Sequence, residues 1–231
     1  MVPLMFYDWT YIFIIPGLLL GLYAQWKVRS AYRHLSGRTS RAGRPAWEVA
    51  AAMLADNGNN KVSIGQVSGL LTDHYDPKKE SIALSRNVYN SASLAALGIA
   101  AHEAGHAMQK FTGYGPMVFR NAFVPVVNIG SRAFFPLFLL GMVFSWEPLI
   151  MAGIVCFALS LLFSLVTLPV EFNASRLGIC MLAEGGHIRE DEKKEARRVL
   201  NAAALTYVAA AITSLLQMIR LMVLSGSRRR R

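Results

Sequence analysis

The chain has 231 residues, of which 54% are hydrophobic and only 16% charged, where a water-soluble domain carries about 25%. That deficit excludes a wholly water-solvated globule and leaves room for one small water-facing unit beside lipid-soluble segments. The formal charge of +10 sits next to apolar runs, at Lys27, Arg29, Arg33, Arg38, Arg41, Arg44 and a terminal SRRRR, which suits anionic lipid and excludes nucleic acid as a partner.

Residues 5–25, MFYDWTYIFIIPGLLLGLYAQ, are long enough to cross a bilayer at about 1.5 Å per residue. Positive charges follow this run rather than precede it, unlike a secretory signal. Residues 1–26 are therefore expected to form a retained anchor with the N-terminus outside, Asp8 at its wet end, and the chain from 27 onward in the cytoplasm. A basic linker, SGRTSRAGRP, leads into PAWEVAAAMLADNG, a predicted helix with Pro45 at its start and Gly58 for its stop. KVSIGQVSGLL and ESIALS alternate apolar and polar residues around TDHYDPKK, predicting a short β-meander closed by a polar turn. YNSASLAALGIAAHEAGHAMQK then predicts a helix capped by Asn90 or Ser91, completing a water-facing part over 27–116.

Two apolar runs follow, at 117–144 and 149–169, joined by SWEP, a link without Lys or Arg that suits an outside hairpin tip. The segment 117–169 thus reads as a transmembrane hairpin, with Arg132 deep enough to be either a snorkelling residue or an internal partner. Residues 170–201 read as cytoplasmic: a helix from Pro169 to about Ala183, a stop at EGG, and a charged helix REDEKKEARRVL. The last part, 202–231, holds a run of marginal spanning length at 202–219 and a basic tail, which would emerge outside, against the positive-inside tendency, if that run crosses. The fold class is accordingly mainly α and membrane-embedded, with about four apolar helices, three or four of them spanning, and a small α+β cytoplasmic domain. Cys156 and Cys180 form no CxxC spacing and read as packing residues.

The chemistry concentrates in AAHEAGHAM. Positions i and i+4 share one helix face, so His102 and His106 can aim two imidazoles at one point, as a tetrahedral zinc site requires. Glu103 is angled away from ligation but close enough to take a proton from an attacking water, completing an HExxH arrangement. A single histidine on such a face is more often a satisfied core residue. Two flanking a glutamate, with only Ala104 and Gly105 between, are hard to satisfy in an apolar setting without a metal. The remaining histidines lie in the linker (His34), in the polar turn (His74) and after EGG (His187). Glu171, in LPVEFNASRLG, is either a third ligand aimed inward or a solvated helix-start glutamate held by the macrodipole. Spacing leaves both open.

The blocks DHYDP, ALSRNVYNSASLAALGIAAHEAGHAMQ, PVVNIGS, LPVEFNASR and VLNAAALTYVAAA resemble the YugP-type family of membrane zinc metallopeptidases, in the same order and from about residue 45 to 220. That family in turn resembles the HtpX-like peptidases of the gluzincin type, whose third ligand is a glutamate on a later helix. The resemblance implies one zinc ion per chain, held by His102, His106 and Glu171, with Glu103 as general base and a gluzincin-like domain around the HExxH helix. Two residues after the ligand the family's usual Asp is Asn173 here, and four after it the HtpX-like Asp is Ser175. These two are candidates for orienting the histidines. The resemblance also points to ESIALS, with Ser81, Ile82, Ala83, Leu84 and Ser85, as the strand that pairs with extended substrate. Tyr207, Arg176 and His74 are candidates for the donor that stabilises developing negative charge.

The expected protein is a zinc endopeptidase integral to the bacterial plasma membrane. It acts on protein or peptide substrates at the cytoplasmic face in membrane-protein quality control, with a regulatory membrane partner or homo-oligomer left open. The alternative is a catalytically idle zinc-containing scaffold or chaperone, against which the intact Glu103 argues. A zinc transport or sensing protein would need several polar residues within the spans, where they are scarce.

Overall fold

A computed structural model describes residues 9–228. Asp8 and Arg229, Arg230 and Arg231 of the tail lie outside the described residues. The fold is mainly helical. A 3-10 turn, Trp9–Phe13, enters α1 (Ile14–Ser36), and α2 (Ala46–Asp56) precedes strands β1 (Ser63–Val67), β2 (His74–Asp76) and β3 (Ser81–Ser85). Helices α3 (Arg86–Tyr89), α4 (Leu94–Phe111), α5 (Gly115–Phe144), α6 (Glu147–Glu184) and α7 (Glu190–Arg228) complete the chain. Four helical segments, Trp9–Ser36, Gly115–Phe144, Glu147–Glu184 and Glu190–Gly226, are long and apolar enough to cross a membrane.

Two expected boundaries are corrected. Pro169 does not start a helix, because α6 runs through it; a helix with apolar neighbours keeps its remaining backbone bonds rather than expose them, so one missing N–H is tolerated. The charged segment REDEKKEARRVL and the run at 202–219 likewise belong to one continuous helix, α7.

The described residues divide into two compact units, one of 9–24, 119–168 and 206–228, the other of 25–118 and 169–205. In the first, large apolar side chains such as Ile129, Phe135, Phe144 and Val155 are exposed, as a lipid solvent allows. Inside it, Ile150, Ile154, Met218 and Leu221 form a core. Close helix approach rests on glycine: a β-carbon on Gly153 would stand 2.8 Å from Phe138, and one on Gly141 2.6 Å from the Ile150 nitrogen. Arg132 is exposed on α5, which favours snorkelling over an internal partner.

In the second unit α4 is the central element, its Leu97, Ala100 and Ala104 packed with Met53, Leu84 and Leu182. Its cap is Ser93, whose side chain accepts from Ala96 N, rather than Asn90 or Ser91. Ser91 stands two residues too early, and its hydroxyl instead donates to Ser93 Oγ. At the other end Gly113 takes φ +66° and Tyr114 N donates to Gln109 O, the left-handed closure that glycine permits.

The sheet is not a meander. Its order is β1-β3-β2, with β1 parallel and β2 antiparallel to β3. DHYDP supplies strand β2 rather than a turn, because Tyr75 pairs with Ile82 and the Asp73 carboxylate accepts from both the backbone and the hydroxyl of Ser85. The turn comes later, where Asp76 accepts from Lys78 N and Lys79 N. The expected substrate strand lies in the middle of this sheet. Ser81, Ile82, Ala83, Leu84 and Ser85 form the central strand, with β1 pairing all five and β2 pairing Ser81, Ile82 and Ala83.

Candidate metal centre

Helix α4 and the segment of α6 beyond Pro169 meet at backbone contact. A β-carbon on Gly105 would lie 2.2 Å from Ala174 O, and one on Gly178 2.4 Å from Ala101 O. Only glycine fits at both crossings, and the approach lets side chains on the two helices reach one another without spanning a gap.

Three of them converge. His102 Nε2 lies 3.2 Å from Glu171 Oε2, and His106 Nε2 lies 3.4 Å from the same oxygen. The two imidazole rings stand edge to face, 4.6 Å apart. Among the described residues, His102, His106 and Glu171 form a metal-capable group whose ligand atoms all fall within 4.8 Å. Glu171 is 3% exposed and His106 8%. Burial opposes a charge on His106, but the Glu171 carboxylate and the nearby Glu103 outweigh it and raise its pKa above the ordinary histidine value. The pocket therefore favours positive charge.

The donor set fits zinc. Two imidazole nitrogens and one carboxylate oxygen are zinc's usual ligands in a site that keeps a fourth position open. A tetrahedron with bonds of about 2.0–2.1 Å separates its ligand atoms by about 3.3 Å, the spacing found between Glu171 and each histidine.

The outward-facing ring nitrogens are also held. His102 Nδ1 lies 3.1 Å from Ser175 Oγ, and His106 Nδ1 lies 3.0 Å from Gln109 Oε1. Gln109 in turn donates to Val170 O and Asn173 Oδ1. Asn173 and Ser175 thus both reach the histidine pair, Ser175 on His102 and Asn173 through Gln109. Gln109 escaped the sequence reading. Its signal was a polar side chain three residues after His106 and seven after His102, on the helix face that carries both histidines.

Glu103 is buried on α4, between the two histidines in sequence. His74 is exposed on β2, its Nδ1 2.8 Å from Thr72 O, and Arg176 is exposed on α6. Tyr207 belongs to the other unit. His187 is buried elsewhere, its Nε2 3.4 Å from Asp56 Oδ2.

A protein-family model described as "Putative neutral zinc metallopeptidase" matches residues 10–226. The chain belongs to this family. Membership in the zinc metallopeptidase family identifies zinc as the implied metal. A curated relative from Bacillus subtilis (strain 168), "Putative membrane protease YugP", is 42% identical over 210 residues, covering 91% of this chain and 93% of that protein. No solved structure matches the chain. The metallopeptidase family and the four apolar helices together describe a membrane protein.

Proposed function

We propose that this protein is a membrane-integrated zinc endopeptidase of the HExxH…E, gluzincin-like type. In this reading it cuts protein or peptide substrates at the cytoplasmic face of a bacterial plasma membrane and serves membrane-protein quality control. The observation that carries the proposal is the meeting of His102, His106 and Glu171 within 4.8 Å, with Glu103 buried on the same helix.

His102, His106 and Glu171 would hold one zinc ion per chain. When bound, zinc supplies a Lewis acid for the peptide carbonyl and makes water nucleophilic near neutral pH. Glu103 takes the proton of the attacking water on its carboxylate and returns it to the departing amine nitrogen. Ser175 steadies the His102 ring, and Asn173 supports the amide of Gln109. For the developing oxyanion, β2 packs against α4, which favours His74 over Arg176. Arg176 lies five residues past Glu171, about 140° round the helix.

The topology that goes with this reading makes 1–26 the anchor with its N-terminus outside, 117–169 a transmembrane hairpin and 202–231 the final apolar helix and basic tail. Residues 27–116 and 170–201 then make the cytoplasmic catalytic part. Its support is the charge pattern: Lys27, Arg29 and Arg33 follow the first run, and the SWEP link carries no Lys or Arg.

The test is cleavage of an unfolded membrane protein by purified, zinc-loaded protein and its Glu103→Gln variant. Loss of the general base should slow cleavage about 10²–10⁴-fold with zinc retained. Equal rates for the two would replace the peptidase with the idle scaffold.

A further inference from the structure

The geometry points to Gln109 as the residue that fixes His106 as a ligand by holding the proton on its Nδ1, an inference that rests on the zinc reading above. Gln109 is fully buried, so each of its polar atoms needs a partner inside the protein. Its Nε2 lies 2.7 Å from Val170 O and 2.9 Å from Asn173 Oδ1. A backbone carbonyl cannot donate, so only the amide nitrogen can face Val170, and the two N–H groups are used there. The oxygen is thereby committed to the other side, where His106 Nδ1 lies 3.0 Å away.

An amide oxygen accepts and cannot donate. His106 must therefore carry a proton on Nδ1, and Nε2 is the nitrogen that turns to Glu171 Oε2, 3.4 Å away, and that gives up its proton when a metal binds. That is the tautomer a metal requires of this ring. His102 is held differently. Its Nδ1 partner is the Ser175 hydroxyl at 3.1 Å, which can donate or accept and so selects no tautomer. The two histidines are unequal: the His106 ring is set before metal arrives, and the His102 ring is set by the metal. Gln109 also joins the two ligand-bearing helices, because Val170 and Asn173 flank Glu171 in sequence. It is a positioning residue, acting through His106.

Zinc affinity is read by chelator competition on the full-length protein in detergent, alongside the visible spectrum of the cobalt-substituted form. Gln109→Met, similar in length but without an acceptor, should weaken zinc about 10–100-fold and alter the cobalt bands. Gln109→Glu keeps an acceptor for Nδ1 but loses the donors to Val170 and Asn173, so it should lose less zinc affinity than Gln109→Met, and Ser175→Ala should also cost less than Gln109→Met. Wild-type affinity in Gln109→Met overturns the inference. So does an equal loss in Gln109→Met and Gln109→Glu, which would make Gln109 a packing residue. Should the variants not fold, ¹⁵N-histidine spectra of the zinc-loaded wild type decide the matter: a protonated His106 Nδ1 with the metal on Nε2 is expected, and metal on Nδ1 overturns it. Failure of the zinc reading looks different, since wild-type protein would then bind no zinc whatever the tautomer.

Discussion

Helix α6 makes two glycine-dependent crossings that can be set side by side. In the apolar unit Gly153 lets it meet Phe138 of α5, and Gly141 of α5 meets Ile150. In the other unit Gly178 and Gly105 let it meet α4 at Ala101 and Ala174. The packing device is the same, but the groups around it are not. The first crossing packs partly buried Phe138 against buried Ile150 and Ile154 in a wholly apolar cluster. The second encloses His106, Gln109 and Glu171, each of which needs a partner in a fixed direction. An apolar crossing can absorb a small displacement by repacking, because dispersion contacts have no direction. A ligand cluster cannot, since a shift of a few tenths of an ångström changes which atoms meet. Backbone contact between α4 and α6 is therefore a condition of the proposed metal centre as well as of the fold.

Substitutions at the two crossings can sharpen or break that contrast. Gly105→Ala should be the most damaging, because its β-carbon would lie 2.2 Å from a backbone oxygen that can move only with the helix. It should cost about 3 kcal/mol, the upper end of overpacking, and zinc should be lost with it. Gly153→Ala meets Phe138 atoms at 2.8 Å and should cost about 1–2 kcal/mol with zinc content unchanged. Thermal unfolding in detergent together with metal analysis reads both, and equal zinc loss in the two would dissolve the distinction. Ser93→Ala should have the smallest effect. It removes the cap of α4 for about 1 kcal/mol, leaving the ligand end of that helix and its zinc in place.

The same contrast separates what could be read in the chain from what could not. The long apolar runs and the i, i+4 histidines were legible because lipid length and helical period are local rules. Glu171 was not settled by spacing, and only the family resemblance singled it out. Physics left it open because its partner helix lies about seventy residues away in sequence and nothing local shows the Gly105 crossing. Strand partners were invisible for a similar reason. Alternation in KVSIGQVSGLL and ESIALS marks strands, but it cannot say that β1 runs parallel to β3 with β2 on the far side. DHYDP looked like a turn from its Asp and Pro content, although Tyr75 and Asp73 bind it to β3. Pro169 looked like a helix start for the same local reason. Gln109 near a helix C-terminus looks like a surface residue until Val170 and Asn173 of α6 are seen against it.

The central claim is that one zinc ion is held jointly by α4 and α6. Metal analysis of the purified Glu171→Ala variant tests it most directly, because Glu171 is the only ligand supplied by α6. The account predicts one zinc per chain in the wild type and little or none in the folded variant. Undiminished zinc in Glu171→Ala would contradict it and confine the metal, if there is one, to the histidine helix alone.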